Sequence, residues 1–216
     1  MRSHLGTLAV FALVLIPAAA AGADEVRTLD RNFDASALES VYVDFPIGEL
    51  EVKGTQSERL MVQLVIECRR ERSMDACRDR ADDIELEARE RDENVELWIE
   101  GFSRWRSRGM QISMVVLVPE RLDVTVDMSI GELKLEELLG SVTVDMGIGE
   151  VSLTGSEEMV NRVSLDTGIG ESSLTTHRGR SSSAGVFTRE ISWTEGNGDN
   201  DIRIDLGIGE IAVELR

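Results

Sequence analysis

The chain has 216 residues, 41 acidic against 23 basic, and a net charge of −18. A phosphate-binding footprint needs a basic face, so nucleic acid and anionic membrane surfaces are poor partners for this charge. Aromatic residues make up only 4%, which argues against a large aromatic-lined ligand cavity.

The first 23 residues read as an export signal. Arg2 supplies the basic start, Leu8 to Ile16 the apolar stretch, and Ala21-Gly22-Ala23 a small-x-small cleavage site before Asp24. The apolar run is shorter than the roughly 20 residues of a membrane span; a retained anchor is the alternative. No second stretch approaches spanning length. The mature protein is expected in the periplasm, secreted or at the cell surface, with no membrane span.

Residues 24–121 are expected to form an N-terminal β segment. Apolar alternation marks strands at Leu60–Cys68, Ile84–Ala88, Asn94–Glu100 and Met110–Val118. Ser73 is a candidate cap for a short helix carrying Ala76, Cys77, Ala81 and Ile84 at helical spacing. Cys68 and Cys77 are the only cysteines, and in an oxidising compartment they are expected to form a local disulfide. Between two of the strands lies Phe102-Ser-Arg-Trp-Arg-Ser-Arg-Gly109, a basic-aromatic run in an acidic chain. Arg and Trp recur at interface hot spots, so Arg104, Trp105, Arg106 and Arg108 are candidate partner-binding residues.

A signature, Asp-x-x-Ile-Gly-Glu, begins at Asp44, Asp127, Asp145, Asp166 and Asp205. Catalytic residues need to occur once, so a set copied five times belongs to the architecture. Apolar residues alternate on both sides of each signature with a slip of one at Gly-Glu: Val142, Val144, Met146 and Ile148, then Val151 and Leu153. Glycine at the slip suits a corner, because it accepts φ > 0. Residues 122–216 are thus expected to stack as a β-solenoid of about 20-residue rungs, burying a continuous core. Isolated hairpins in a meander are the alternative. Ile47, Ile130, Ile148, Ile169 and Ile208 are expected inside. A degenerate rung is expected around Ser181–Trp193, where the signature spacing doubles. The fold class is all-β, a solenoid preceded by a β segment with one short helix.

The pattern V-P-E-R-L-D-V-T-V-D-x-S-I-G-E-L, followed by G-S-V-T-V-D-x-G-I-G-E-V, resembles the bacterial putative-adhesin repeat family of unknown function. The resemblance covers roughly residues 40–216. It implies exported or envelope-associated β-solenoid domains and carries no catalytic residues with it.

Stacked strands place equivalent residues about 4.8 Å apart, so the signature acids form a ladder. Calcium favours clustered carboxylates, which makes Asp127, Asp145, Glu150, Asp166 and Asp205 candidate ligands and calcium the one candidate cofactor. An Asx-type turn role for each Asp is the alternative. After the signal, His177 is the only histidine, which excludes a multi-His metal centre. No unique catalytic set stands out. The expected function is a non-enzymatic envelope scaffold or binding module, adhesin-like, its partner an envelope protein or glycan or another copy of itself. The alternatives are a calcium-stabilised repeat protein and a glycan-cleaving solenoid enzyme.

Overall fold

The computed structural model describes residues 23–69, 74–102, 109–185, 189–194 and 196–216. The expected signal (save Ala23), Ser73 and the run Arg104, Trp105, Arg106 and Arg108 lie outside the described residues. Among those described, twelve strands form one sheet. In chain order they are β1 (Ala23–Asp34), β2 (Ser40–Thr55), β3 (Arg59–Arg69), β4 (Glu85–Arg91), β5 (Asn94–Glu100) and β6 (Met110–Pro119), then β7 (Asp123–Leu138), β8 (Val142–Gly155), β9 (Val160–Thr176), β10 (Gly179–Gly185), β11 (Arg189–Trp193) and β12 (Asn200–Leu215). One short helix, α1 (Met74–Asp82), follows β3. The chain is all-β.

The five signatures lie in β2, β7, β8, β12 and β9, which pair in parallel and in register in that spatial order. A straight strand of β7's length would span roughly 50 Å. Yet only three residues separate β7 from β8, and the Leu139 amide donates to the Glu120 carbonyl at 2.7 Å, just before β7 begins. Each signature strand therefore folds back on itself as an arch, with two arms joined at the Ile-Gly-Glu corner.

The corner needs glycine for two reasons. Gly48, Gly131, Gly149, Gly170 and Gly209 have φ from +140° to +149°, a region L side chains rarely adopt. A Cβ on Gly149 would also run into the Gly131 carbonyl oxygen of the next arch.

Core residues line the inside of both arms: Val142, Val144 and Met146, then Val151 and Leu153, with the same positions filled in β2, β7 and β12. The isoleucines correct the expectation. Ile148, Ile169 and Ile208 are 44%, 46% and 43% exposed, and Ile47 and Ile130 are half-buried. The last inward residue is two positions earlier (Phe45, Met128, Met146 or Leu206), and it fills the space beneath the bend. The Met128 methyl lies 2.6 Å from where a Gly131 Cβ would be. The backbone has begun to turn by the next residue, so the isoleucine points outward from the apex.

Chain order is also not stacking order, because β12 inserts between β8 and β9. The stretch around Ser181–Trp193 forms two strands, β10 on one arm of β9 and β11 on the other, both antiparallel. At the opposite end, β5 and β6 pair in parallel with the two arms of β2. Beyond them β4 joins β5, and β3 and β1 follow β6.

Helix α1 buries Cys77 and Ala81. Cys77 is bonded to Cys68 on β3, with Cα atoms 6.1 Å apart. Arg27 of β1 clamps the helix end, donating to the carbonyls of Ala81, Asp82 and Ile84 and pairing with Glu85 at 2.8 Å.

Gly149→Ala should lower unfolding free energy by about 2–4 kcal/mol, combining backbone strain with the clash. Gly179→Ala, also at positive φ but with nothing within 4 Å of its would-be Cβ, should cost only the strain, about 1 kcal/mol. Urea titration of the two variants separates the terms. Replacing Cys68 and Cys77 together with Ala should cost about 2.7 kcal/mol by the chain-entropy estimate for a ten-residue loop, read from the same titration.

Candidate functional site

Register turns the signature into three parallel rows running across the arches. The apex carries Ile47, Ile130, Ile148, Ile208 and Ile169 in spatial order. Glu49, Glu132, Glu150, Glu210 and Glu171 form an exposed row beside it, at the start of the second arm. Asp44, Asp127, Asp145, Asp205 and Asp166 form another on the outer face of the first arm. With neighbours about 4.8 Å apart, the apex is a continuous apolar ridge about 19 Å long.

The candidate calcium ligands separate accordingly. Asp127, Asp145, Asp205 and Asp166 share one row, while Glu150 belongs to the row across the corner. A row gives each carboxylate one neighbour above and one below, which is a line and not a cage. Among the described residues no three His, Cys, Asp or Glu side chains come together as a metal site. Part of the row is met by protein groups instead. Arg203 pairs with Asp205 at 2.8 Å. That hydrogen bond and charge raise the guanidinium pKa, with smaller contributions from Asp166 and Glu190. Tyr42 donates to Asp127 at 3.5 Å. Desolvation raises the phenol pKa, and the charges of Asp127 and Asp44 add to the shift.

The ionised form of Asp44 is disfavoured. Partial burial raises its pKa above 3.8, and the Asp127 charge adds to this. Beside Asp44 on β5, Trp98 carries the Arg89 guanidinium 5.1 Å from its ring centre.

The outer face of the second arm is a shallow trough of about 380 Å³ crossing β6, β2, β7, β8 and β12. Lys134 lies in it, bonded to Glu136 at 2.9 Å, and that bond raises its pKa, with a smaller pull from Glu51. Two shallower clefts flank the ridge. One is bordered by Ile47, Gly48, Phe102 and Met110. The other is bordered by Ile148, Gly209, Glu210 and Ala184. His177, the one histidine after the expected signal, is exposed and held by Glu157 through both its backbone amide and its ring.

Sequence reading missed the ridge, since alternation alone places the isoleucines inside. The signal that could have found it is the small or proline residue preceding each of them (Pro46, Ser129, Gly147, Gly168, Gly207), which marks the bend one residue early.

A sequence profile for the N-terminal domain of toast_rack, DUF2154, matches residues 22–175. The chain belongs to this family. The matched stretch ends within β9, so the ridge's fourth arch, β12, follows it. No curated protein matches the chain. A solved structure of a putative cell adhesion protein from Clostridium sporogenes ATCC 15579 shares the fold with a TM-score of 0.52 at 12% identity, over 89% of this chain and 100% of that one. A putative adhesin from Bacteroides fragilis NCTC 9343 aligns over 87% and 97% at 11% identity, with a TM-score of 0.24. A putative lipid binding protein from Parabacteroides distasonis ATCC 8503 aligns over 88% and 96% at 9%, with a TM-score of 0.25. Scores that low say nothing further about this fold.

A carboxyl whose folded pKa lies above its unfolded value stabilises the protein below the unfolded value. That contribution is lost as pH rises through the folded pKa. Asp44→Asn should therefore melt higher than the parent at pH 7. The gap should close as pH falls below 3.8, the ordinary value for this group. Melting temperature against pH for the two proteins checks this.

Proposed function

We propose that the chain is an exported, non-enzymatic protein of the bacterial envelope, an adhesin-like scaffold or binding module. In this reading the closed arches stack as a β-solenoid-type support, and the function lies in the regular surface they present. The observation that carries it is the in-register repetition of an outward-facing pattern. Five copies of one outward-facing Ile-Gly-Glu apex, most exposed at Ile148, Ile208 and Ile169, offer a similar contact at each step, which suits an extended partner such as an envelope protein or glycan. The Cys68–Cys77 bond supports an oxidising compartment. Among the described residues no helix is long and apolar enough to cross a membrane.

The glycan-cleaving alternative needs a carboxylate pair with shifted acidity in a groove. Asp44 beside Asp127 is the pair whose charges interact, and it lies on the exposed outer face of the first arm. Protein purified from an exporting host should capture an envelope component specifically, and should leave a panel of envelope glycans uncleaved. Turnover on that panel that is lost in Asp44→Asn would replace the binding role with an enzymatic one.

A further inference from the structure

The apex is an unusual place to leave isoleucine. Large contiguous apolar patches are rarely left bare on monomeric proteins, and those that are mark interaction sites. Here the patch is a straight line of five, with its three most exposed members, Ile148, Ile208 and Ile169, adjacent at one end.

The neighbouring row decides what can cover it. Any surface laid on the ridge also meets Glu49, Glu132, Glu150, Glu210 and Glu171. An anionic bilayer, or the same ridge of another copy, would bring like charges together. The occupant must combine cations with an apolar group.

The chain contains such a segment, and the register places its ends. On β2, Asp44 and Glu49 are five residues apart. Their partners on β5 and β6, Trp98 and Ser113, are fifteen apart. Ten extra residues thus enter at the corner position of the β5–β6 layer, and they include Arg104, Trp105, Arg106 and Arg108. Phe102 and Met110, at the two ends of this insertion, border the cleft with Ile47 and Gly48 at the β2 end of the ridge.

We propose that the corner ridge is a self-assembly surface that docks the arginine-rich insertion of a second copy. The arginines match the Glu row, and the tryptophan matches the isoleucines. A ten-residue insertion tethered at both ends extends at most half its contour, about 16 Å. Ile208 and Ile169 lie four and five layers from β5–β6, about 19 and 24 Å at the strand spacing. That bound on the backbone is shorter than both distances, so the far end of the ridge is open to the insertion of a neighbour. One end of a molecule docking on the flank of the next is a heterologous contact, which builds open chains unless the rotation closes them. This names one partner within the binding role proposed above, and rests on the ridge being a binding surface.

Sedimentation velocity of the purified full chain tests it. Association should rise with protein concentration and weaken as salt is raised. Glu150→Lys with Glu210→Lys should weaken it about tenfold or more, as should Arg104→Glu with Arg106→Glu, because each reverses one side of a charged contact. Mixing those two variants should restore association, since the intact insertion of one meets the intact ridge of the other. Ile148→Ser with Ile208→Ser should weaken association at low salt while leaving the melting temperature close to the parent's, because the side chains are exposed. A parent protein that stays monomeric at its highest soluble concentration overturns the proposal. So does association that the ridge variants leave unchanged, or a mixture that fails to restore it. None of these would touch the wider binding role, which capture from the envelope decides.

Discussion

Along the corner line, the carbonyl oxygen of each glycine occupies the space where the next glycine would carry a Cβ. The series runs from Gly48 through Gly131, Gly149 and Gly209 to Gly170, and begins against the Ile112 carbonyl of β6. This close approach, together with φ near +145° at each position, fixes the arches in a single register. A strand shifted by one residue would set a side chain against its neighbour's backbone at the corner. It would also turn its inward residues to solvent. The aligned Asp, Ile and Glu rows are consequences of that one constraint, as is the continuous core.

Much of this architecture was legible because the signature is both periodic and glycine-marked. The corners, the inward alternation of Val142, Val144, Met146, Val151 and Leu153, the short helix and the Cys68–Cys77 bond all follow from spacing. Three features did not. The isoleucines were misplaced because period-two alternation cannot tell which residue is the last before a bend. Strand β1 escaped notice because Val26, Leu29 and Phe33, which pack on the core, do not alternate, and its pairing shifts between Glu25 and Arg27. The position of β12 was hidden because equivalent repeats present nearly equivalent edges, so sequence alone does not rank their neighbours.

The last arch shows what happens where the pattern is relaxed. In β9 the two inward positions flanking the corner are Thr167 and Ser172, both buried, and their hydroxyls bond to each other. Apolar residues fill those places in the other arches. The polar pair satisfies itself, so it is tolerated, but it contributes less to apolar burial. Beyond β9 the parallel series ends and β10 and β11 run antiparallel; β10 lines one arm with small or polar residues such as Ser182 and Ser183, while Ile191 and Trp193 of β11 still pack on the core along the other. Along the β10 arm, apolar burial thus weakens in step with the change of geometry. At the other end the molecule carries residues that the repeats do not share, chiefly the insertion between β5 and β6.

The placement of β12 constrains how the molecule is made. The chain is synthesised from its N-terminus, so β7, β8 and β9 are available before the strand that must lie between the last two of them. If β9 settled directly against β8, corner matched to corner, the register would be satisfied and the arrangement wrong. Completion then requires that arch to be released and the late strand threaded into the gap. Long-range pairing of this kind raises contact order and slows folding. The same sameness of parts that gives the sheet its regular surface therefore creates its characteristic kinetic trap, a skipped strand.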